Sequence, residues 1–399
     1  MIENIRHQFN QQFNENKYLG YLEDINEQYH KNVEFRLAET PVFIPRHFKD
    51  QMIDTCEAII DRIIQEDFLS LTNQAIPEVD FTEGSENNCQ MMAFDFGICE
   101  NEYKQWNPQL IEMQGFPSLY GFQVMMADMM KNHYEIPDTM TPYLGNYNAE
   151  TYWSDLKEII VGSHQPDEVV LLEIQPEKQK TWIDFYATKY MTGIQILCIT
   201  ALIAEGDELF YINPDTNKKT QIKRIYNRVI FDELHARQSS LGNIVDIRKK
   251  WKVEWVTHPN WFYRISKYTL PLLNHPHIPS TYYLDQLETI PEDLENYVLK
   301  PLFSFAGKGV LIDVTITDIQ QLPDPQNWIL QKKVHYASAI KTPNSPAKAE
   351  IRIMYLWKQG WSRPKPAINL ARLSKGKMIG VDYNKNKDWV GGSICFFEN

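Results

Sequence analysis

The five cysteines, Cys56, Cys89, Cys99, Cys198 and Cys395, are odd in number and scattered, with no Cys-x2-Cys pair among them. That spacing supplies neither a disulfide framework nor a zinc site, and a reducing, cytoplasmic setting is expected. The opening residues, Met1-Ile2-Glu3-Asn4-Ile5-Arg6-His7, are polar and lack the apolar core of a signal peptide. The longest apolar-rich run, 194–204, is interrupted by Gln195 and Thr200 and is too short to span a bilayer. Basic residues are in deficit: 40 Lys and Arg stand against 52 Asp and Glu, a net charge of -12. Broad nucleic-acid binding needs a basic surface, so neither nucleic acid nor membrane is an expected partner. Three chemistry motifs are missing: the Gly-x4-Gly-Lys-Ser/Thr phosphate loop, the dinucleotide fingerprint and the nucleophile elbow. His275-Pro276-His277 has no ligand cluster near it in sequence and makes a poor zinc site. Repeats and low-complexity stretches are absent too.

What the chain has is core material in a changing pattern. Its 399 residues suffice for two or three domains, and 10 Trp, 21 Tyr and 19 Phe supply ample apolar volume. Residues 1–75 read as mainly helical; Met52, Ile53, Cys56, Ile59, Ile60, Ile63 and Ile64 recur at helical spacing with a polar opposite face. From about residue 89 the period becomes that of strands. The stretches 91–98 and 109–114 form the arms of a hairpin, and a helix follows over 119–130. Residues 165–235 alternate: a strand at 168–174, a helix at 180–191 and a strand at 194–199. A hairpin turn at Asn213-Pro214-Asp215-Thr216-Asn217 then joins strands at 208–212 and 219–226. Proline-rich loops fill 259–291, and the last 50 residues read as strands. An α+β protein is expected, divided into 1–85 (helical), 86–150 (the hairpin), 151–240 (α/β) and 241–399.

Three constellations carry chemistry. Tyr297-Val298-Leu299-Lys300-Pro301 is an apolar run ending on a lysine. Lys308 follows between Gly307 and Gly309, and Val310-Leu311-Ile312 reads as the next strand. One lysine on a rigid strand and one on a glycine loop can meet the inner and outer phosphates of a nucleoside triphosphate, although a surface hairpin with solvated lysines reads the same way. Lys267, after Ser266, adds a third cation before a short apolar helix. The 328–334 stretch is an apolar strand ending in Gln331-Lys332-Lys333. The second constellation is Asp95, Glu112 and Gln114. Residues i and i+2 of a strand share a side, so Glu112 and Gln114 point together and Asp95 on the other arm can join them. These are hard oxygen ligands of the kind magnesium takes. A solvated face is the ordinary alternative, but the apolar flanks argue for burial, and a buried carboxylate needs a partner. Arg352 and Arg372 are the third set, suited to charge on a transferring phosphoryl group or to simple salt bridges. The loop 388–392 is placed near them. Arg228 reads as an exposed arginine after a strand, with a substrate contact as the alternative.

The order of these pieces resembles circularly permuted ATP-grasp enzymes, in particular the glutathionylspermidine synthase group and its uncharacterised relatives. The resemblance covers about 90–335. A carboxylate hairpin comes first, then an α/β segment, a Ser-Lys pair like Ser266-Lys267, and a Lys-Pro strand with a glycine loop. It implies a permuted ATP-grasp fold with an α/β pre-ATP-grasp-like segment. Asp95, Glu112 and Gln114 would hold Mg2+, Lys267, Lys300 and Lys308 would contact ATP, and Gln331 would lie near adenine. The implied activity is ATP-dependent amide formation through an acyl phosphate, joining a small-molecule or peptide carboxylate to an amine acceptor with release of ADP and phosphate. An ATP-grasp kinase and a catalytically impaired nucleotide-binding protein are the competing expectations. Three departures stand out. Gln114 occupies the place of the group's usual Asn, one methylene longer. Ala93 replaces an arginine two residues before the Asp. Phe305-Ala306-Gly307 stands where Arg-Glu-Gly is common. A preceding cysteine-peptidase domain is not evident, so the amidase of two-domain relatives is not implied.

Overall fold

Residues 91–99 are buried without a break, apolar or not, so a strand covered on both faces is required there. A computed structural model describes the chain except residues 29–30, 304–308, 377–378, 380–383 and 385. Lys308 and the Phe305-Ala306-Gly307 departure lie outside the described residues. Met91–Glu100 and Trp106–Gln114 form the expected hairpin. They lie at one side of a five-stranded antiparallel sheet, which continues through Lys348–Leu356, Lys365–Ser374 and Gly391–Ser393.

The two faces of this sheet differ. Phe94, Phe96, Ile351, Ile353, Ala371 and Leu373 turn to one side, against the Arg46–Ile63 helix, which buries Met52, Cys56, Ile59, Ile60 and Ile63 at the expected spacing. The other face is apolar at one end, where Ala93, Met354, Ile368 and Leu370 share a core with the Tyr120–His133 helix. At its other end it carries charge. Asp95, Arg352, Glu350, Arg372, Glu112 and Gln114 alternate with the buried apolar set and so converge on this side.

A second sheet is parallel, in the order Glu254–Val256, Arg224–Asn227, Val169–Glu173, Gln195–Cys198. Helices Trp182–Thr192, expected over 180–191, and Phe231–Leu241, not expected, supply two of its crossovers. Asp184 on the first helix holds the start of the Tyr120–His133 helix. Its carboxylate accepts from the backbone of Leu119, Gly121 and Phe122 at 2.8–3.0 Å. The strand expected over 219–226 is in fact two. Lys219–Ile222 pairs with Glu208–Ile212, whereas Arg224–Asn227 enters the parallel sheet. Lys223 makes the transfer: its N–H donates to Glu168 O and its carbonyl accepts from Glu254 N, both at 2.9 Å.

A third sheet, antiparallel, runs Thr281–Tyr283, Trp328–Lys332, Tyr297–Pro301. The strand expected at 310–312 is reduced to one bridge, Leu311 with Leu299; Val310 and Ile312 line a cleft instead. Among the described residues no helix is long and apolar enough to cross a membrane.

Candidate functional site

The cleft lies between the third sheet and the charged end of the five-stranded one. Glu112, Lys267, Lys300, Gln331, Glu350 and Arg372 meet there, from segments far apart in sequence, with Val298, Val310, Ile312 and Val334 as apolar walls. Lys300 and Val298 share one face of their strand. Gln331 sits opposite Val298 in the antiparallel ladder, so its side chain joins theirs. The Lys300 ammonium donates to Gln331 Oε1 at 2.6 Å and to Ile111 O at 3.1 Å. Ile111 is the extra residue of a bulge, since Asp95 opposes Glu112 while Phe96 opposes Leu110. The bulge turns its carbonyl toward the lysine. Gln331, expected near adenine, also donates to Thr281 Oγ1 at 3.1 Å, so in this state it fixes Lys300.

Burial lowers the Lys300 ammonium to about 8, against the pull of Glu112 and with Lys267 adding repulsion. Lys267 is also lowered by burial, opposed by Glu112 and Asp232. It opens a short 3-10 turn, Lys267–Leu272, capped by Ser266 Oγ, which accepts from Tyr268 N at 3.1 Å. Lys300, Lys267 and Glu112 therefore face the same space, and the two lysines lose hydration by being there.

Behind the cleft is a second layer of charge. Asp95 is 1% exposed and lies directly opposite Arg352 in the sheet. Arg352 Nε and Nη2 donate to the two Asp95 oxygens at 2.6 and 2.7 Å, a bidentate pair. Arg372 donates to Asp95 Oδ2 as well and reaches Glu350 at 3.2 Å. Burial opposes ionisation of Asp95, but the two guanidinium groups outweigh it and hold its carboxyl below the ordinary range. Glu350 is pushed up by burial, which Arg372 resists and Asp95 reinforces. Its Oε1 accepts from the Tyr336 hydroxyl. That ring lies over Gly97, where a Cβ would stand 2.7 Å from it, so the strand needs glycine there. Gly392, in the 388–392 loop, pairs with Arg372 as the expected proximity requires.

The three residues expected to bind magnesium do share a face, but not as an open set. Asp95 is taken by two arginines. Gln114, with its amide oxygen turned to the guanidinium, accepts from Arg352 Nη2 at 3.1 Å. Only Glu112 faces the cleft. Among the described residues no group of three or more His, Cys, Asp or Glu is arranged to hold a metal. The three-ligand set does not fit as it stands. Glu112 fits a single ion that also takes phosphate oxygens and water, which is how magnesium commonly binds.

The reading of Arg228 as an exposed arginine is wrong. It is 5% exposed, at the carboxyl end of Arg224–Asn227, where ligands of open parallel sheets bind. Its guanidinium lies 4.6 Å from the Phe116 ring centre and 5.4 Å from that of Phe185. Nε and Nη1 have no hydrogen-bond partner among the described residues. Glu173 ends the adjacent strand. Burial raises its carboxyl to about 8, against the pull of Arg228. The sequence signal for this place was an apolar strand, Val169–Glu173, ending on a carboxylate. Lys267 links it to the cleft electrostatically, since its ammonium feels both Glu112 and Asp232 of the helix after Arg228.

No family model matches the chain, and no curated protein matches it at a significant level. Among solved structures, it is similar to a glutathione synthetase-like effector (GSS30) from Globodera pallida in its apo form. The TM-score is 0.59, the identity 10%, and 96% of each chain is covered. The fold of this chain is therefore α+β and glutathione synthetase-like.

Proposed function

We propose that the chain is an ATP-grasp protein, circularly permuted, that binds ATP in the Lys300 cleft and acts as an ATP-dependent carboxylate-amine ligase. The observation that carries this is the meeting of Lys267, Lys300, Glu112 and Arg372 around one apolar-walled cleft, the three cations lying 155 to 260 positions beyond Glu112 in the chain. Val298, Val310, Ile312 and Val334 suit an adenine ring, with the 332–334 backbone beside it. Lys300 and Lys267 suit the phosphates, and Glu112 would hold the Mg2+ that arrives with them, an ion that neutralises phosphate charge. Arg372, at the cleft wall, would stabilise charge on the transferring phosphoryl group. The acid would present its carboxylate to Arg228, and an amine would displace phosphate from the acyl phosphate. The fold likeness to a glutathione synthetase-like protein supports the ligase class.

One observation favours a second reading, nucleotide binding without transfer: Asp95 and Gln114 are tied to Arg352. A titration and a turnover assay separate the two. Lys300→Ala should weaken ATP binding by about 10- to 100-fold in calorimetry, the worth of a charge-assisted contact of ~1.5–3 kcal/mol. A ligase should release ADP and phosphate when supplied with its acid, and hydroxylamine should trap the acyl phosphate as a hydroxamate. AMP and pyrophosphate, or a stable phosphoester, would overturn the ligase reading. Tight ATP binding with no ADP release across a panel of amino acids, short peptides and polyamines would favour the second.

A further inference from the structure

We propose that Arg352 is a resident cation that takes the place of a divalent ion between Asp95 and Gln114. Three features carry the inference. The first is register. Arg352 stands directly across from Asp95, and its guanidinium meets both oxygens of that carboxylate at 2.6 and 2.7 Å. The second is the donor set. A carboxylate and a primary amide oxygen, side by side, are hard oxygen ligands such as a small divalent cation takes. Both point instead at one guanidinium, since Gln114 accepts from Arg352 at 3.1 Å. The third is space. Ala93 lies opposite Gln114 in the hairpin and two residues before Asp95 on the same face. Its small side chain leaves that corner to Arg352, which enters from the neighbouring strand.

Electrostatics then excludes a further ion. Arg372 donates to the same Asp95 oxygen that Arg352 Nη2 meets, so two full positive charges already border this carboxylate. A divalent ion placed there would face two guanidinium groups within a few ångströms, in surroundings where little water screens them. Arginine cannot step aside by losing its proton. The site is thus permanently charged. Its cation cannot be removed by a chelator, and it does not vary with divalent-ion concentration. Glu112, on the cleft side of the same strand, keeps its carboxylate for an ion carried in with phosphate.

The consequence is a metal count, and that consequence alone rests on the nucleotide-site reading. The chain binds no divalent ion at Asp95, and a bound nucleotide brings one ion, not two. Mn2+ titration followed by electron paramagnetic resonance counts the ions directly on the full chain. In the absence of nucleotide, Arg352→Met should gain one Mn2+ per chain relative to the native protein, because Gln114 and Asp95 Oδ1 are freed and only Arg372 still holds Oδ2. The double variant Arg352→Met, Asp95→Asn should lose that ion again. Arg352→Lys keeps a charge on the strand and should bind no extra ion. With the non-hydrolysable analogue AMP-PNP present, the native protein should bind one Mn2+ per nucleotide. Equal counts in the native protein and a folded Arg352→Met, or two Mn2+ per nucleotide in the native protein, would overturn the proposal. Should Arg352→Met unfold, the native count with AMP-PNP still decides. Failure of AMP-PNP to bind would overturn the nucleotide-site reading alone, and the nucleotide-free comparison would still judge Arg352.

Discussion

Two buried charge clusters in this molecule are built in opposite ways. Around Asp95 one carboxylate is shared by two guanidinium groups, with Gln114, Glu350 and Tyr336 completing the network. Around Arg228 one guanidinium rests on two aromatic rings, two of its nitrogens without a hydrogen-bond partner among the described residues, beside a carboxyl that burial holds protonated up to about pH 8. Arg352 and Arg228 are both shielded from solvent, and desolvating a charge is costly in either place. The first cluster offsets that cost internally. The second leaves it standing in the free protein, where an incoming anion would offset it. A closed network supports structure and fixes a charge, whereas an open one is suited to binding.

The comparison is broken most directly at Asp95. Asp95→Asn removes the anion that Arg352 and Arg372 share and leaves a buried guanidinium, Arg352, beside the partly exposed one of Arg372. Removing one partner of a buried pair costs about 3–5 kcal/mol. Urea unfolding should show a loss of that size, with the m-value unchanged. A loss under 1 kcal/mol would mean that the network does not hold the sheet together at this point.

Why one cluster could be read from the sequence and the other could not follows from what each depends on. Asp95, Glu112 and Gln114 lie on a hairpin, and alternation along two adjacent strands is enough to put them on one face. The arginines that occupy Asp95 come from 257 and 277 positions away. Strand pairing decides their partner, and single-sequence periodicity carries no pairing information. That is why a phosphoryl group and simple salt bridges both stood open for them, while the structure gives Asp95 both arginines. The strands bearing Lys300 and Gln331 were legible, but the link between these two residues was not, because it depends on register and on the bulge at Ile111. Arg228 was misread for a third reason. A polar residue just past a strand is usually solvated, but here the parallel sheet's edge is roofed by Phe116 and Phe185, which arrive from other segments. The split at Lys223 was hidden because both of its halves have the same alternation.

A middling effect is expected at Lys300, on the cleft side of the first cluster. Its ammonium loses its proton around pH 8 in the free protein. A phosphate anion binds the protonated form, so above pH 8 binding must also take up a proton. Nucleotide affinity should be level below that pH and fall above it by up to tenfold per pH unit, about 1.4 kcal/mol. Stability of the free protein runs the other way. The folded pKa lies below the unfolded value of 10.5, so the folded state holds fewer protons between about 8 and 10.5, and rising pH in that window favours folding. Lys300→Arg should flatten both profiles. Calorimetry and thermal melts from pH 7 to 9.5 measure them; an affinity that does not change across that range would place the phosphates elsewhere.

The smallest change in stability should come from the second cluster. Arg228→Met keeps most of the side-chain length over Phe116 and Phe185 and removes a charge that makes no ion pair among the described residues, although the buried Asp184 carboxyl feels it. An ion pair broken from one side is costly, but a buried charge that had no ion pair leaves nothing stranded when it goes. Replacing buried charge with an apolar group of like volume is often neutral or stabilising. Arg228→Met should therefore melt within about 1 kcal/mol of the native protein, or above it, in contrast to Asp95→Asn. Glu173 sharpens the test. Without Arg228 to favour its ionised form, its carboxyl should titrate higher still. The folded state then keeps this proton across a pH range where the unfolded chain has lost it, so the variant's stability should keep falling past pH 8, where the native profile levels off. A large loss of stability at pH 6, where Glu173 is protonated in both proteins, would show that Arg228 is already satisfied in the free chain. The two clusters would then be of one kind, and the carboxyl edge of the parallel sheet would lose its claim to an acid.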